Sequence, residues 1–65
     1  MRKHYTITLV LETPTGREYL KDFTYRNTFR RDAIWEIDKK IQHYRELGYV
    51  SAYIGAVHEW SDVWF

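Results

Sequence analysis

Three histidines are the side chains best suited to metal or proton chemistry, and they fall in three separate segments: His4, His43 and His58. No two of them stand at a ligand spacing such as i,i+4 on a helix, so the pattern predicts surface histidines and no metal site. Ser51 and Ser61 are the only serines. Neither lies in the strand-to-helix turn that exposes a nucleophilic hydroxyl. Cysteine is absent, which removes disulfides, thiolate zinc sites and cysteine nucleophiles together. The carboxylates are scattered with no pair placed for acid–base work, and there is no glycine-rich phosphate loop. The expectation is a protein that is not an enzyme and that carries no cofactor.

Charge offers a different chemistry. The run Arg26-Asn27-Thr28-Phe29-Arg30-Arg31 places three arginines at the expected start of a helix, where positive side chains oppose the macrodipole. Arg26, Arg30 and Arg31, with the free backbone N–H groups of a helix start, form a candidate anion site for phosphate or carboxylate. The competing reading is neutralisation by Asp32, Glu36 or the C-terminal acids. Residues 1–31 carry seven positive and three negative side chains, and residues 32–65 carry three positive and six negative. That asymmetry favours internal or head-to-tail pairing over a nucleic-acid partner.

These side chains must be positioned by a small framework of 65 residues. A chain of this length buries only ~60% of its unfolded surface. Its 45% hydrophobic and 18% aromatic content nevertheless excludes intrinsic disorder. No apolar run approaches the ~18 residues of a membrane span, and no signal-peptide stretch follows Arg2 and Lys3. No linker or repeat divides the chain, so residues 1–65 are expected to form one α+β domain with an aromatic C-terminal tail, cytoplasmic and with no membrane partner.

From Tyr5 to Leu11 the chain alternates with period two and is rich in β-branched residues, which predicts a strand. Thr13-Pro14-Thr15-Gly16 supplies a type I turn with Gly where φ turns positive, giving a three-residue hairpin loop with a bulge. The loop fixes the register, setting Leu11 opposite Tyr19, Leu9 opposite Lys21, Ile7 opposite Phe23 and Tyr5 opposite Tyr25. Directly opposite residues share a face, so Tyr5, Ile7, Leu9, Leu11, Tyr19, Phe23 and Tyr25 gather on one side. Lys21 is the one charge among them, tolerable at a sheet edge where it can snorkel.

Ala33, Ile34, Ile37, Ile41, Tyr44 and Leu47 recur at helical spacing. They predict a helix over residues 29–47, capped by Asn27 or Thr28 and ended by Gly48. A third strand is expected from Tyr49 to about Trp60, with Val50, Ala52, Ile54 and Ala56 toward the helix and Gly55 marking a bulge. The helix returns the chain to run parallel to the second strand, and a right-handed crossover places the third strand beside the first. The expected fold is ββαβ: a three-stranded antiparallel sheet of order 2-1-3 with one helix packed on one face.

One helix cannot cover both faces of a sheet. The open face is expected to carry Thr6, Thr8, Val10, Leu20, Tyr53 and Val57, with Trp60, Val63, Trp64 and Phe65 arriving beside it. Either these aromatics fold back on that face, or they meet a second copy or another protein. The sequence therefore predicts a small non-enzymatic protein–protein interaction module, an inhibitor or adaptor, that self-associates as a homodimer. Its contact residues are Val10, Leu20, Tyr53, Trp60, Trp64 and Phe65, with Trp35 and the arginines secondary. Phage and other mobile elements encode compact inhibitors of this size, an analogy of size and shape only. The alternative is a nucleic-acid binder with Arg26, Arg30 and Arg31 on phosphates and an exposed aromatic stacked on bases.

Overall fold

The computed structural model describes residues 1–62. The hairpin forms as its turn chemistry dictates: Thr13 N–H donates to the Arg17 carbonyl at 2.9 Å and Gly16 N–H to the Thr13 carbonyl at 3.0 Å. Gly16 takes φ +87°, a conformation that strains any residue with a Cβ. The strands it joins are β1, Lys3–Glu12, and β2, Glu18–Thr28; α1, Arg30–Glu46, and β3, Ser51–Trp60, follow. The sheet has the order β2-β1-β3, and β1 is antiparallel to both neighbours. This is the expected ββαβ fold, with the four predicted cross-strand pairs of the hairpin in place.

The core lies between the sheet and α1. Tyr5, Ile7, Leu9 and Leu11 of β1, Ala33 and Ile37 of α1 and Ala52 of β3 are buried, and Phe23, Tyr25, Ile41, Tyr44 and Ile54 pack around them. Its largest fully buried side chains are Ile7, Leu9, Leu11 and Ile37. The small residues Ala33 and Ala52 let the helix approach the strands. Lys21 lies on the edge strand β2 and extends its ammonium to 5.8 Å from the centre of the Tyr44 ring.

Both helix ends show how local rules compete. β2 continues to Thr28, so neither Asn27 nor Thr28 caps the helix; the N-cap is Phe29, extended and without a side-chain cap bond. Asn27 instead lies in a bulge of β2, where Arg26 and Asn27 stand against the single residue His4; it takes a left-handed φ of +54°, which Asn tolerates better than most residues. The C-terminus follows expectation. Gly48, at φ +110°, donates to the Arg45 carbonyl, and Tyr49 N–H reaches back to the Tyr44 carbonyl at 3.2 Å. The Tyr44 and Tyr49 rings meet edge-on at 5.7 Å, the apolar contact that accompanies this Schellman closure.

β3 corrects the expected face assignment. Leu9 pairs with Ile54 and Thr8 with Ala56, so Gly55 is an extra residue in the ladder. A bulge of this kind reverses which side chains point to which face beyond it. Ala56 therefore stands opposite Thr8 on the open face, not toward the helix. Val57 stands opposite Ile7 and packs against the core, so it does not belong to the open face. Val50 precedes the strand; its N–H donates to the Glu12 carbonyl and its side chain is exposed rather than turned to the helix.

Candidate functional site

Side chains of β1 that alternate with the buried Tyr5, Ile7, Leu9 and Leu11 define the face that α1 leaves uncovered. Cross-strand pairing arranges it in rows. At the hairpin end stand Glu18, Glu12 and Ser51, and next come Leu20, Val10 and Tyr53. Asp22, Thr8 and Ala56 form the middle, followed by Thr24, Thr6 and His58. His4 and Trp60 close the far end, beside Arg26.

The row Leu20–Val10–Tyr53 is apolar across all three strands. Leu20 is 69% exposed and Tyr53 49%, while Val10 between them is only 9% exposed. Val10 is shielded because it lies over Gly55, where an added Cβ would stand 2.7 Å from Val10 Cγ2. The middle of the face is small and internally satisfied. Thr8 Oγ1–H donates to Asp22 Oδ1 at 2.6 Å, and the Thr6 and Thr24 hydroxyls share a hydrogen bond of 3.0 Å.

The far end is aromatic and hydrogen-bonded. The Trp60 ring stands 5.4 Å from His4 and 5.4 Å from His58, stacked on the latter. The Arg26 guanidinium lies 5.9 Å from its centre. Asn27 N–H donates to His4 Nδ1 at 2.9 Å, and His4 Nε2 lies 2.6 Å from Asp62 Oδ2. Since Nδ1 accepts, the pattern assigns the proton to Nε2, which donates to the carboxylate. Beside this network lies an open depression of about 380 Å3 lined by Arg2, Lys3, His4, Asn27, Ser61 and Asp62. Among the described residues, no group of three or more His, Asp and Glu is arranged to hold a metal ion, and no helix is long and apolar enough to cross a membrane.

The three arginines are not gathered. Arg26 lies over Trp60 at the open face. Arg30 turns to Glu59, whose Oε2 is 3.9 Å from Nη1; Glu59 pairs across the sheet with the buried Tyr5 and also takes Lys3 Nζ at 2.5 Å. The Lys3 ammonium, hydrogen-bonded to it, holds the Glu59 carboxyl below its ordinary range, and that bond raises Lys3 in turn. A C-terminal acid thus faces Arg30, and its single charge is shared with Lys3. Arg31 is exposed at the start of α1.

Val10, Leu20, Tyr53 and Trp60 come together on one face, as the strand pattern requires. Trp64 and Phe65 lie outside the described residues. Trp35 is exposed on α1, away from that face, with the Lys39 ammonium 3.6 Å from its ring centre. Sequence reasoning missed His4, His58 and Asp62 as members of the Trp60 cluster. The signal was Gly55: carrying its bulge through to the end of β3 turns His58 and Trp60 onto the open face.

The two ends of the face also differ in charge. Glu12 and Glu18 stand directly opposite one another, an unfavourable like-charge pair. Neither has an ion-pair partner among the described residues, and neither does Arg2 or Arg26. No protein-family model, curated protein or solved structure matches the chain.

Proposed function

We propose that the protein is a small non-enzymatic protein–protein interaction module, acting as an inhibitor or adaptor through its open sheet face. The apolar row of Leu20, Val10 and Tyr53, open to solvent at Leu20 and Tyr53 on a face that no element among the described residues covers, carries this reading. Leu20 and Tyr53 gain burial only from another chain or from residues outside the described fold. Tyr53, Trp60 and Arg26 are the residue types that supply most of the binding energy at protein interfaces. Thr6, Thr8 and Ala56 keep the centre flat enough for close approach. Arg30 is engaged by Glu59, and Glu12, Glu18, Asp22 and Asp62 interrupt the positive charge of the face, which disfavours a polyanion such as nucleic acid.

A photo-crosslinking amino acid in place of Tyr53 tests the reading, with the same group in place of Trp35 as control. Incubated with cell extract, the protein labelled at position 53 is expected to form discrete protein adducts that Leu20→Asp abolishes. Position 35 is expected to form none that depend on Leu20. Equal labelling at both positions, or labelling indifferent to Leu20→Asp, overturns the reading. Salt-sensitive capture of DNA or RNA, weakened by Arg26→Ala, supports the nucleic-acid alternative instead.

A further inference from the structure

We infer that the occupant of the open face is a second copy of this chain, stacked face to face with its strands reversed. This rests on the reading of that face as a protein contact. Two sheets related by a two-fold axis lying between them, with their strands kept aligned, can be superposed in two ways. An axis along the strands sets Glu12 and Glu18 of both copies together at one end and both Arg26 side chains at the other, which like-charge repulsion opposes. An axis across the strands exchanges the ends. It sets the acidic hairpin end of each copy over the arginine end of the other, and each β2 over the second copy's β2.

With that axis crossing β1 at Ile7, the rows fall in complementary order. Trp60 lies on Tyr53 of the second copy, aromatic on aromatic. Arg26 lies along Leu20 of the second copy, and its guanidinium, turned from its own Trp60 ring, reaches Glu18 one row further, about 7 Å along the strand. Arg2, before the start of β1, falls directly over Glu12 of the second copy. Asp22 meets Thr24 of the second copy rather than its own mate. Four charges that lack ion-pair partners among the described residues thus find opposite charge, and the Glu12–Glu18 repulsion is offset.

The area bounds the strength. Three strands at ~4.8 Å spacing and about ten residues at ~3.3 Å rise give a face of roughly 450 Å2, or about 900 Å2 for two copies. Stable interfaces bury upward of ~1,000 Å2, so the dimer falls in the size class of weak, transient contacts.

Sedimentation of the full chain over about 1–200 μM, combined with charge exchange, tests the proposal. Arg26→Glu alone and Glu18→Arg alone are each expected to weaken the dimer about tenfold or more, and an equimolar mixture of the two variants to restore it through a heterodimer. Arg2→Glu and Glu12→Arg form an independent second pair with the same expectation. Arg2, Glu18 and Arg26 are exposed and Glu12 is half-buried outside the core cluster, and circular dichroism checks that each variant is folded. A chain that stays monomeric at the top of the range, or single variants whose mixture shows no recovery, overturns the second copy as occupant. In either event the position-53 crosslink separates the two failures. Leu20-dependent adducts with a different protein leave the face a protein contact, and no such adducts remove both.

Discussion

Val10 and Gly55 are in mutual contact across β1 and β3: Val10 Cγ2 lies 2.7 Å from where a Cβ on Gly55 would stand. This one relationship organises the open face. It accommodates the extra residue in β3, shields Val10 between Leu20 and Tyr53, and fixes the phase that turns Val57 inward and Trp60 outward. Gly55→Ala is therefore expected to destabilise the protein by about 1–3 kcal/mol, the cost of overpacking. Val10→Ala in the same chain should recover much of that loss. A double-mutant cycle by chemical denaturation measures the coupling, and additive effects would refute the contact.

The two faces of β1 should respond very differently to truncation. Leu9 and Ile37 are fully buried between sheet and helix, so Leu9→Ala and Ile37→Ala are each expected to cost about 2–5 kcal/mol. Thr8→Ala removes only the hydroxyl bond to Asp22 on the open face and should cost well under half as much. Urea denaturation of the three variants checks the ordering. Equal losses for Thr8→Ala and Leu9→Ala would contradict the assignment of faces.

Tyr25 carries the one buried side-chain polar atom without a hydrogen-bond partner among the described residues, its hydroxyl. Burial, with a smaller contribution from the Glu36 charge, raises its ionisation above the ordinary 10.0. Tyr25→Phe removes the unsatisfied group at nearly constant volume and is expected to be neutral or stabilising by up to ~1 kcal/mol. The native phenol binds its proton more tightly than the unfolded one, so stability should fall as pH rises above 10. In Tyr25→Phe that part of the alkaline loss should disappear. A marked destabilisation by Tyr25→Phe would show that the hydroxyl has a partner.

The Lys3–Glu59 pair ties the start of β1 to the end of β3 and predicts a second pH dependence. Glu59 is depressed below its ordinary 4.5 by the hydrogen bond from Lys3. The stability it contributes is present above pH 4.5 and is lost as pH falls through the lower, folded-state value. Lys3 is raised above 10.5 by the same bond, so its contribution is present below pH 10.5 and lost as pH climbs through the higher, folded-state value. Thermal melts from pH 2 to 12 should show both limbs, with Glu59→Gln flattening the acid limb and the lysine part of the alkaline one. An acid limb unchanged by Glu59→Gln would contradict the pairing.

Much of this fold was legible because β1 and the turn constrain each other. Thr13-Pro14-Thr15-Gly16 fixes the loop length, the loop fixes the register, and the register sorts apolar from polar side chains; Leu9 and Ile37 follow directly. The helix C-terminus was equally plain, since Gly48 has a local role. The N-terminus was not. Asn27 is a good capping residue on its own, but it is held in a bulge of β2 by the hydrogen bond to the His4 side chain, which short-range preference does not reveal. Gly55 was legible as a bulge, yet its consequence acts at a distance: a one-residue offset reassigns Ala56, Val57, His58 and Trp60 together. The Arg30–Glu59 contact joins residues far apart in the chain, and only the assembled fold brings the start of α1 close to the end of β3.

Self-association through the open face is tested most directly by side-chain NMR of the full chain over a dilution series from about 500 to about 10 μM. The account predicts concentration-dependent shifts for the Leu20 methyls and for the Tyr53 and Trp60 rings. The signals of Ile37 in the core and Trp35 on the outer helix surface should stay fixed. Shifts centred on Trp35, or on Leu47 and Val50, or spectra that do not change with concentration, would contradict it.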